Sequence, residues 1–221
     1  MSGFFTSSIG KKLMMSLAGI FLLSFLLVHL VINLLFFIFD DPMVYNKVAH
    51  FMGSNVLIKI FEIVLFGGIL LHVIYALILQ VQNWIARPQR YSKTNYSNTS
   101  FFSKFMIHTA IIILVFLVIH LADFYLKAKF GRALEIEVDG VMYHDFASEM
   151  IDKFKMLPFV IFYIAAFIFL GFHLIHGFQS AFKTLGLEHK TYTPIIKVVA
   201  NIYTFIIVAG FTLIPVLIYF M

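Results

Sequence analysis

Five apolar stretches limit what this chain can fold into more than any other feature of the sequence. They cover about 13–39, 55–86, 101–126, 156–182 and 194–220. Each exceeds the roughly 20 residues that a helix needs to cross a bilayer. Because lipid cannot hydrogen-bond to the backbone, apolar runs of this length favour helices. The sequence therefore predicts an all-α membrane protein with five transmembrane helices, in a single membrane domain over 1–221.

The composition excludes several other classes of protein. Hydrophobic residues make up 62% of the chain and charged residues only 12%, which is too apolar for a water-soluble domain. The chain has no Cys, and this excludes disulfides, thiolate-bound clusters and covalently attached haem. The net charge of +5 comes from short loops, where basic residues meet lipid headgroups, so we exclude nucleic acid as a partner.

Proline and charge mark the ends of the predicted helices. The first helix stops at 40–42, while Pro158 and Pro194 stand in the first turns of the fourth and fifth helices. Pro215 is expected to bend the end of the fifth helix. The longest loop, 127–155, is expected to contain a short hairpin or a surface helix.

Basic residues predict the orientation. The N-terminus and the loops 87–104 and 183–197 together have nine Lys or Arg and a single acid, Glu188. The opposite side has seven basic and ten acidic residues. Since cytoplasmic loops are enriched in Lys and Arg, we expect a cytoplasmic N-terminus.

Five of the nine histidines lie inside the apolar stretches. They are His29, His72, His120, His173 and His176. A lone intramembrane histidine can simply hydrogen-bond to a neighbouring helix. Here, however, each of the first four helices has at least one histidine and the fifth has none. This distribution favours a shared role.

The depths of these histidines predict two pairs. At 1.5 Å per residue, His29 and His120 lie about 15 and 10 Å before the outer ends of their helices. His72 and His176 lie about 20 and 10 Å from the cytoplasmic ends. Two haems of b type, each bound by two imidazoles, require this arrangement, so the first four helices are predicted to form a dihaem-binding bundle. Spacing alone leaves His173 and His176 as alternatives.

Several other residues are candidates for contacts with a haem. Gly67, Gly68 and Gly177 would let a macrocycle approach a helix, although small residues also serve ordinary helix packing. Lys183 could reach a haem propionate, or extend to lipid headgroups instead.

Three segments carry a family resemblance. They are KKLMMSLAGIFLLSFLLVHLVIN, the AHFMGSN loop and FHLIHGFQSAFKTLGL. Together with the order of histidines, they resemble the single-chain dihaem cytochrome b subunit of succinate dehydrogenase and fumarate reductase. In that family the last ligand is the histidine directly followed by Gly, which implies His176. Some members have a Glu two residues earlier, where this chain has Leu174, so a proton path through that position is not expected.

The resemblance implies a function. The chain would anchor a flavoprotein subunit and an iron–sulfur subunit on the cytoplasmic side of a bacterial inner membrane. Electrons would pass to an inner haem on His72 and His176, then to an outer haem on His29 and His120, and finally to menaquinone. The dicarboxylate site would lie on a partner subunit, and the direction of catalysis stays open.

His50 and Glu62 are the candidates for the quinone site. Quinone chemistry exchanges protons, and both residues lie at the outer ends of helices. Glu62 could instead form an ion pair with Lys59. The alternative functions are a dihaem anchor of hydrogenase or formate dehydrogenase type, a proton or ion transporter that uses histidines, and an anchor without cofactor.

Overall fold

A computed structural model describes residues 7–39, 41–86 and 105–221. Our predictions for Asp40, for the loop 87–104 and for a third helix starting at Phe101 fall partly or wholly outside these residues. The elements, in chain order, are α1 Ser8–Ile38, α2 Pro42–Ser54, α3 Val56–Ile85, α4 Met106–Lys129, β1 Glu135–Val138, β2 Val141–His144, α5 Phe146–Phe154, α6 Leu157–Thr184 and α7 Tyr192–Phe220.

Five of these helices, α1, α3, α4, α6 and α7, are long and apolar enough to cross a membrane. This confirms the prediction of an all-α membrane protein with five spans. Side chains cap the N-termini of two spans. Ser7 accepts a hydrogen bond from the amide of Gly10 at the start of α1, and Asn55 accepts one from the amide of Leu57 at the start of α3. Pro158 stands in the first turn of α6, as predicted.

Helices α1, α6 and α7 form the centre of the molecule, and we call them the central trio. The most extensive packing is between α6 and α7, and α1 packs against both. The side chains of Ile207 and Ile218 on α7 are 0% exposed. The fifth span is therefore part of the core, although it has no histidine. Pro215 lies inside α7, which continues beyond it to Phe220.

The two remaining spans flank the trio. Helix α3 packs extensively against α1, and α4 packs against α6. No residue of α3 is buried. The flanking helices thus depend on fewer contacts than the central ones.

A cap of short elements closes the end of the bundle where α1 and α4 finish, which we call the hairpin side. Helix α2, an antiparallel hairpin of β1 and β2, and helix α5 form this cap. Asp139 and Gly140 make the tight turn with positive φ angles of 52° and 77°. The predicted long loop thus contains both a hairpin and a surface helix.

Helix α2 corrects our assignment of 42–54 to a loop. Asp41 accepts a hydrogen bond from the amide of Met43, and Pro42 begins the helix. Asn46 holds α2 against the cap, because it donates to Asp145 at 2.8 Å and accepts from the amide of Ala147 at 3.0 Å.

Candidate histidine sites between the spans

The first candidate site joins α1 to α4. The ring centres of His29 and His120 lie 5.8 Å apart at an interplanar angle of 78°. His29 stacks on Phe25, and His120 stacks on Phe116. Phe211 of α7 closes one side of His29 at 5.7 Å. The structure thus brings together the pair predicted for the outer haem, in an aromatic surrounding.

The hydrogen bonds of this pair are incomplete. His120 Nδ1 is buried and has no hydrogen-bond partner among the described residues. His29 Nδ1 lies 3.5 Å from the side-chain nitrogen of Asn33, which donates at 2.7 Å to the carbonyl of His29. The hydroxyl of Tyr45 on α2 donates to the side-chain oxygen of Asn33 at 3.4 Å, so the cap extends to this site.

The second candidate site joins α3 to α6. The ring centres of His72 and His173 lie 6.3 Å apart at an angle of 68°. His72 Nδ1 lies 3.4 Å from the carbonyl oxygen of Met15, and His173 Nδ1 lies 3.5 Å from the hydroxyl of Thr109. That hydroxyl donates to the carbonyl of Met106, so it can accept from His173.

These contacts assign the tautomers of the second site. Both Nδ1 atoms face acceptors and therefore carry the proton, which leaves the Nε2 lone pairs of His72 and His173 free. A histidine that binds a metal commonly donates its other ring N–H in this way. Met15 and Thr109 therefore hold the rings of His72 and His173 with their Nε2 atoms available to bind a metal.

The histidine of α6 that contacts His72 is not the one that the family resemblance implies as a ligand. The ring that contacts His72 is that of His173, whereas the resemblance implies His176. Both lie on α6 three residues apart, and such residues share a helix face. The assignment of His176 as the fourth ligand stays a prediction.

The two sites lie at different depths. Gly19 of α1 is next to His72, because a Cβ on it would lie 3.5 Å from that ring, and it stands ten residues before His29. On α6, Tyr163 contacts the His120 ring and stands ten residues before His173. Ten helical residues span about 15 Å, so both helices give the same separation along the bundle.

The distance between the rings fits a haem bound by two imidazoles. An imidazole nitrogen binds a transition metal at about 2 Å. Because the ring centre lies about 1 Å further out, two imidazoles that shared one metal ion would have ring centres up to about 6 Å apart. The observed 5.8 and 6.3 Å are compatible with this value, and they also lie within the 4.8–6.4 Å range of the phenylalanine contacts in α6. Within the described ranges, no group of three or more His, Cys, Asp or Glu could hold a metal ion, and a haem of this type needs only two.

The glycines suggested by the sequence have ordinary surroundings. A Cβ on Gly67 would meet nothing within 4 Å, while one on Gly68 would lie 3.3 Å from Phe21. A Cβ on Gly177 would lie 3.9 Å from Met106. The glycine that lies beside a histidine ring is Gly19, which is not among the glycines suggested by the sequence.

The quinone-site candidates of the sequence are both engaged at the hairpin side. Glu62 accepts from the hydroxyl of Tyr125 at 2.5 Å and pairs with Lys129 at 3.1 Å, so its ion pair crosses to α4 instead of forming with Lys59. The ring of His50 packs against that of Tyr143 at 4.9 Å. At the opposite end, the exposed Lys183 pairs with Glu188 at 2.6 Å.

The structure adds a polar cluster that the sequence did not reveal. Asp123 and Lys153 form an ion pair at 2.8 Å, and the hydroxyl of Tyr163 is buried nearby without a partner in the described part of the chain. Asp123 follows His120 by three residues, but Lys153 comes from α5, and no local spacing joins the two.

Comparison of the chain with protein-family models, with curated proteins and with solved structures finds no match. A function is therefore assigned from the geometry of these sites and from the resemblance of the sequence segments.

Proposed function

We propose that this chain is the membrane anchor and electron-transfer subunit of a succinate:quinone oxidoreductase. Four histidines hold two b haems between the spans. A flavoprotein subunit and an iron–sulfur subunit bind on the cytoplasmic side, and menaquinone reacts near the outer haem. The observation that carries the proposal is the presence of two interhelical histidine pairs, His29 with His120 and His72 with His173, whose ring centres lie 5.8 and 6.3 Å apart.

The connectivity of the pairs supports the proposal. His120 of α4 faces His29 of α1, although α4 packs mainly against α6. His72 of α3 faces His173 of α6, although α3 packs mainly against α1. A cofactor held between helices would take its ligands from facing pairs of this kind.

The protein's own residues have distinct tasks in this proposal. His29 and His120 bind one iron, and His72 binds the other with a histidine of α6. Met15 and Thr109 fix the rings of the second site through their Nδ1 atoms. The haems, when bound, supply one-electron transfer along the bundle. The apolar walls around His29 and His120 exclude water from the outer site.

Menaquinone suits a site at the hairpin side. Its low potential makes electron flow from succinate unfavourable. Moving an electron against or along the membrane potential changes its free energy by about 2.3 kcal/mol per 100 mV. A quinone site on the side opposite the soluble subunits lets the membrane potential contribute to the reaction.

The test is the haem content of the purified chain, measured from its reduced-minus-oxidised spectrum. We expect b-type bands and two haems per chain. His29→Ala and His120→Ala should each remove one haem, and His72→Ala should remove the other. His189→Ala, in the connection between α6 and α7, is the control and should retain both. A chain without b-type bands refutes the proposal.

The same measurement decides between the two histidines of α6. We expect either His173→Ala or His176→Ala to remove the haem that His72→Ala removes, and the other variant to retain it. Retention of both haems in both variants would exclude α6 as the source of the fourth ligand. Co-purification of the intact complex with its flavoprotein and iron–sulfur subunits tests the role as an anchor separately from haem binding.

A further inference from the structure

The backbone of α4 changes immediately after His120. Residues Leu121–Tyr125 form a π-helical segment before the α-helix resumes at Leu126. Such segments are rare and occur frequently at functional sites. This one directs two polar side chains to neighbouring elements, Tyr125 to Glu62 of α3 and Asp123 to Lys153 of α5.

The ion pair of Asp123 is largely removed from solvent. The side chains of Asp123 and Lys153 are 18% and 13% exposed. Lys153 Nζ also lies 4.0 Å from the centre of the Phe159 ring. Desolvating two charges costs free energy that their attraction often does not recover, so a pair of this kind is a weak means of stabilising a fold. Its position calls for another explanation.

Six buried side-chain polar atoms have no hydrogen-bond partner within the described ranges. Three of them are Asp123 Oδ2, His120 Nδ1 and the hydroxyl of Tyr163; the others belong to His144, Glu149 and Thr204. Tyr163 is only 2% exposed, and its ring contacts that of His120 at 6.2 Å. Buried polar atoms are nearly always paired, so the atoms of Asp123, His120 and Tyr163 are available to a polar ligand.

A surface cavity at the hairpin side borders Lys153 of this ion pair. Its lining consists of Lys127, Arg132, Leu134, Glu149, Asp152, Lys153 and Met156. Lys153 therefore belongs to both the cavity wall and the pair with Asp123. Asp123 itself does not line the cavity, so Lys153 stands between Asp123 and this cavity.

We propose that Asp123 exchanges protons with the quinone beside His120, with Lys153 as its positioning residue. This inference rests on the proposed function and deepens it. In quinone reduction, the quinone takes up two electrons that the proposed partner subunits supply and two protons from water through Asp123, and two O–H bonds form. In quinol oxidation, both O–H bonds break, the protons leave through Asp123, and the two electrons pass to the partner subunits.

Asp123 suits this role better than the two candidates from the sequence. Glu62 is already bound to Tyr125 and Lys129, and His50 packs on the hairpin. Asp123 has a free oxygen, lies about one helical turn from His120, and pairs with Lys153, which lines the cavity. The other ionisable groups near Asp123 and the cavity are Tyr163 from α6, Glu149 and Asp152 from α5, Lys127 from the end of α4, and Arg132 from the connection that follows α4.

The test uses the intact complex with a soluble menaquinone analogue as electron acceptor. Asp123→Asn should lower quinone turnover on the order of 100-fold, because general acid–base transfer typically contributes that much. Its solvent deuterium isotope effect should increase, since proton transfer becomes rate-limiting. Haem content, reduction by dithionite and succinate oxidation with an artificial acceptor should stay unchanged. Asp123→Glu should retain turnover, and Glu137→Gln on the exposed hairpin is the matched control.

A second variant tests whether the loss of turnover comes only from misfolding. Asp123→Asn leaves the charge of Lys153 unpaired, so the double variant Asp123→Asn/Lys153→Met removes both charges and should show the same loss of turnover. Wild-type turnover in the double variant overturns the inference. Loss of haem in both variants also overturns it, because Asp123 would then act in structure alone. A wild-type complex without haem refutes the proposed function itself, which separates the two failures.

Discussion

Gly210 of α7 holds the outer histidine site together by allowing α1 to approach closely. A Cβ at this position would lie 2.7 and 2.8 Å from the two terminal carbons of Leu30 and 3.3 Å from its Cγ. Leu30 is 2% exposed and directly follows His29, while Phe211, which follows Gly210, contacts the His29 ring. We therefore expect Gly210→Ala to disturb both the stability of the bundle and the first histidine pair.

The magnitude follows from two opposing effects. Replacing a glycine inside a helix by alanine stabilises the helix by roughly 0.5–1 kcal/mol. Against this, the new methyl group lies about 0.7 Å closer to Leu30 than ordinary contact allows, and overpacking of this kind costs about 1–3 kcal/mol. Because Leu30 is enclosed, its side chain cannot rotate away freely. The net expectation is a destabilisation of about 1 kcal/mol.

The assay is thermal unfolding in detergent together with haem content. Gly67→Ala is the control, because its Cβ would meet nothing within 4 Å, and this variant should be as stable as the wild type or slightly more stable. Gly210→Ala should unfold at a lower temperature and lose the haem that we propose at His29 in preference to the other proposed haem. A Gly210→Ala protein that matches Gly67→Ala in stability and haem content would contradict the proposed packing role of Gly210.

Three further predictions concern the hairpin side. Asn46→Ala should lower stability by about 1–2 kcal/mol in thermal unfolding, because it leaves Asp145 and the amide of Ala147 without their partner. Burial alone would raise the pKa of Asp145, but hydrogen bonds from Ser148 and Asn46 outweigh it and lower this pKa. The Asp145 carboxylate therefore stabilises the fold above its pKa in the unfolded chain, about 4, and this stabilisation is lost as pH falls through its lower folded pKa. In Asp145→Asn, the stability measured by unfolding should depend less on pH in this acid range. Burial raises the pKa of Tyr45 to about 12, so its absorbance should titrate about two pH units above that of an exposed tyrosine, and ordinary titration would refute its burial.

The spans were predictable because their signal is local. Each apolar stretch is continuous in sequence, and its length alone separates it from a soluble helix. Helix α2 was missed because its 13 residues are too few to cross a membrane and are interrupted by polar side chains, although Asp41 followed by Pro42 is a recognisable helix start. The π-helical segment after His120 could not be predicted, because one added residue within a mostly apolar helix leaves no pattern in the sequence.

The site was predictable only in part, for a similar reason. Depth along each helix follows from residue number, so the pairing of His29 with His120 could be predicted from rise per residue alone. The direction in which a side chain points around the helix axis does not follow from residue number alone. This is why spacing left His173 and His176 open, and why the approach of Lys153 to Asp123 required the tertiary structure.

The arrangement of the five spans explains the structural role of the fifth span, α7. Helix α7 packs against both α1 and α6. The hydroxyl of Tyr203 on α7 also donates a hydrogen bond to the carbonyl of Leu23 on α1 at 2.6 Å. Each histidine pair then takes one residue from this central trio and one from a flanking helix. In both cases the pair joins the flanking helix to a central helix other than the one that it mainly packs against. A cofactor bound at each pair would therefore tie α3 and α4 to the trio, and these flanking helices should exchange amide hydrogens fastest when the cofactor is removed.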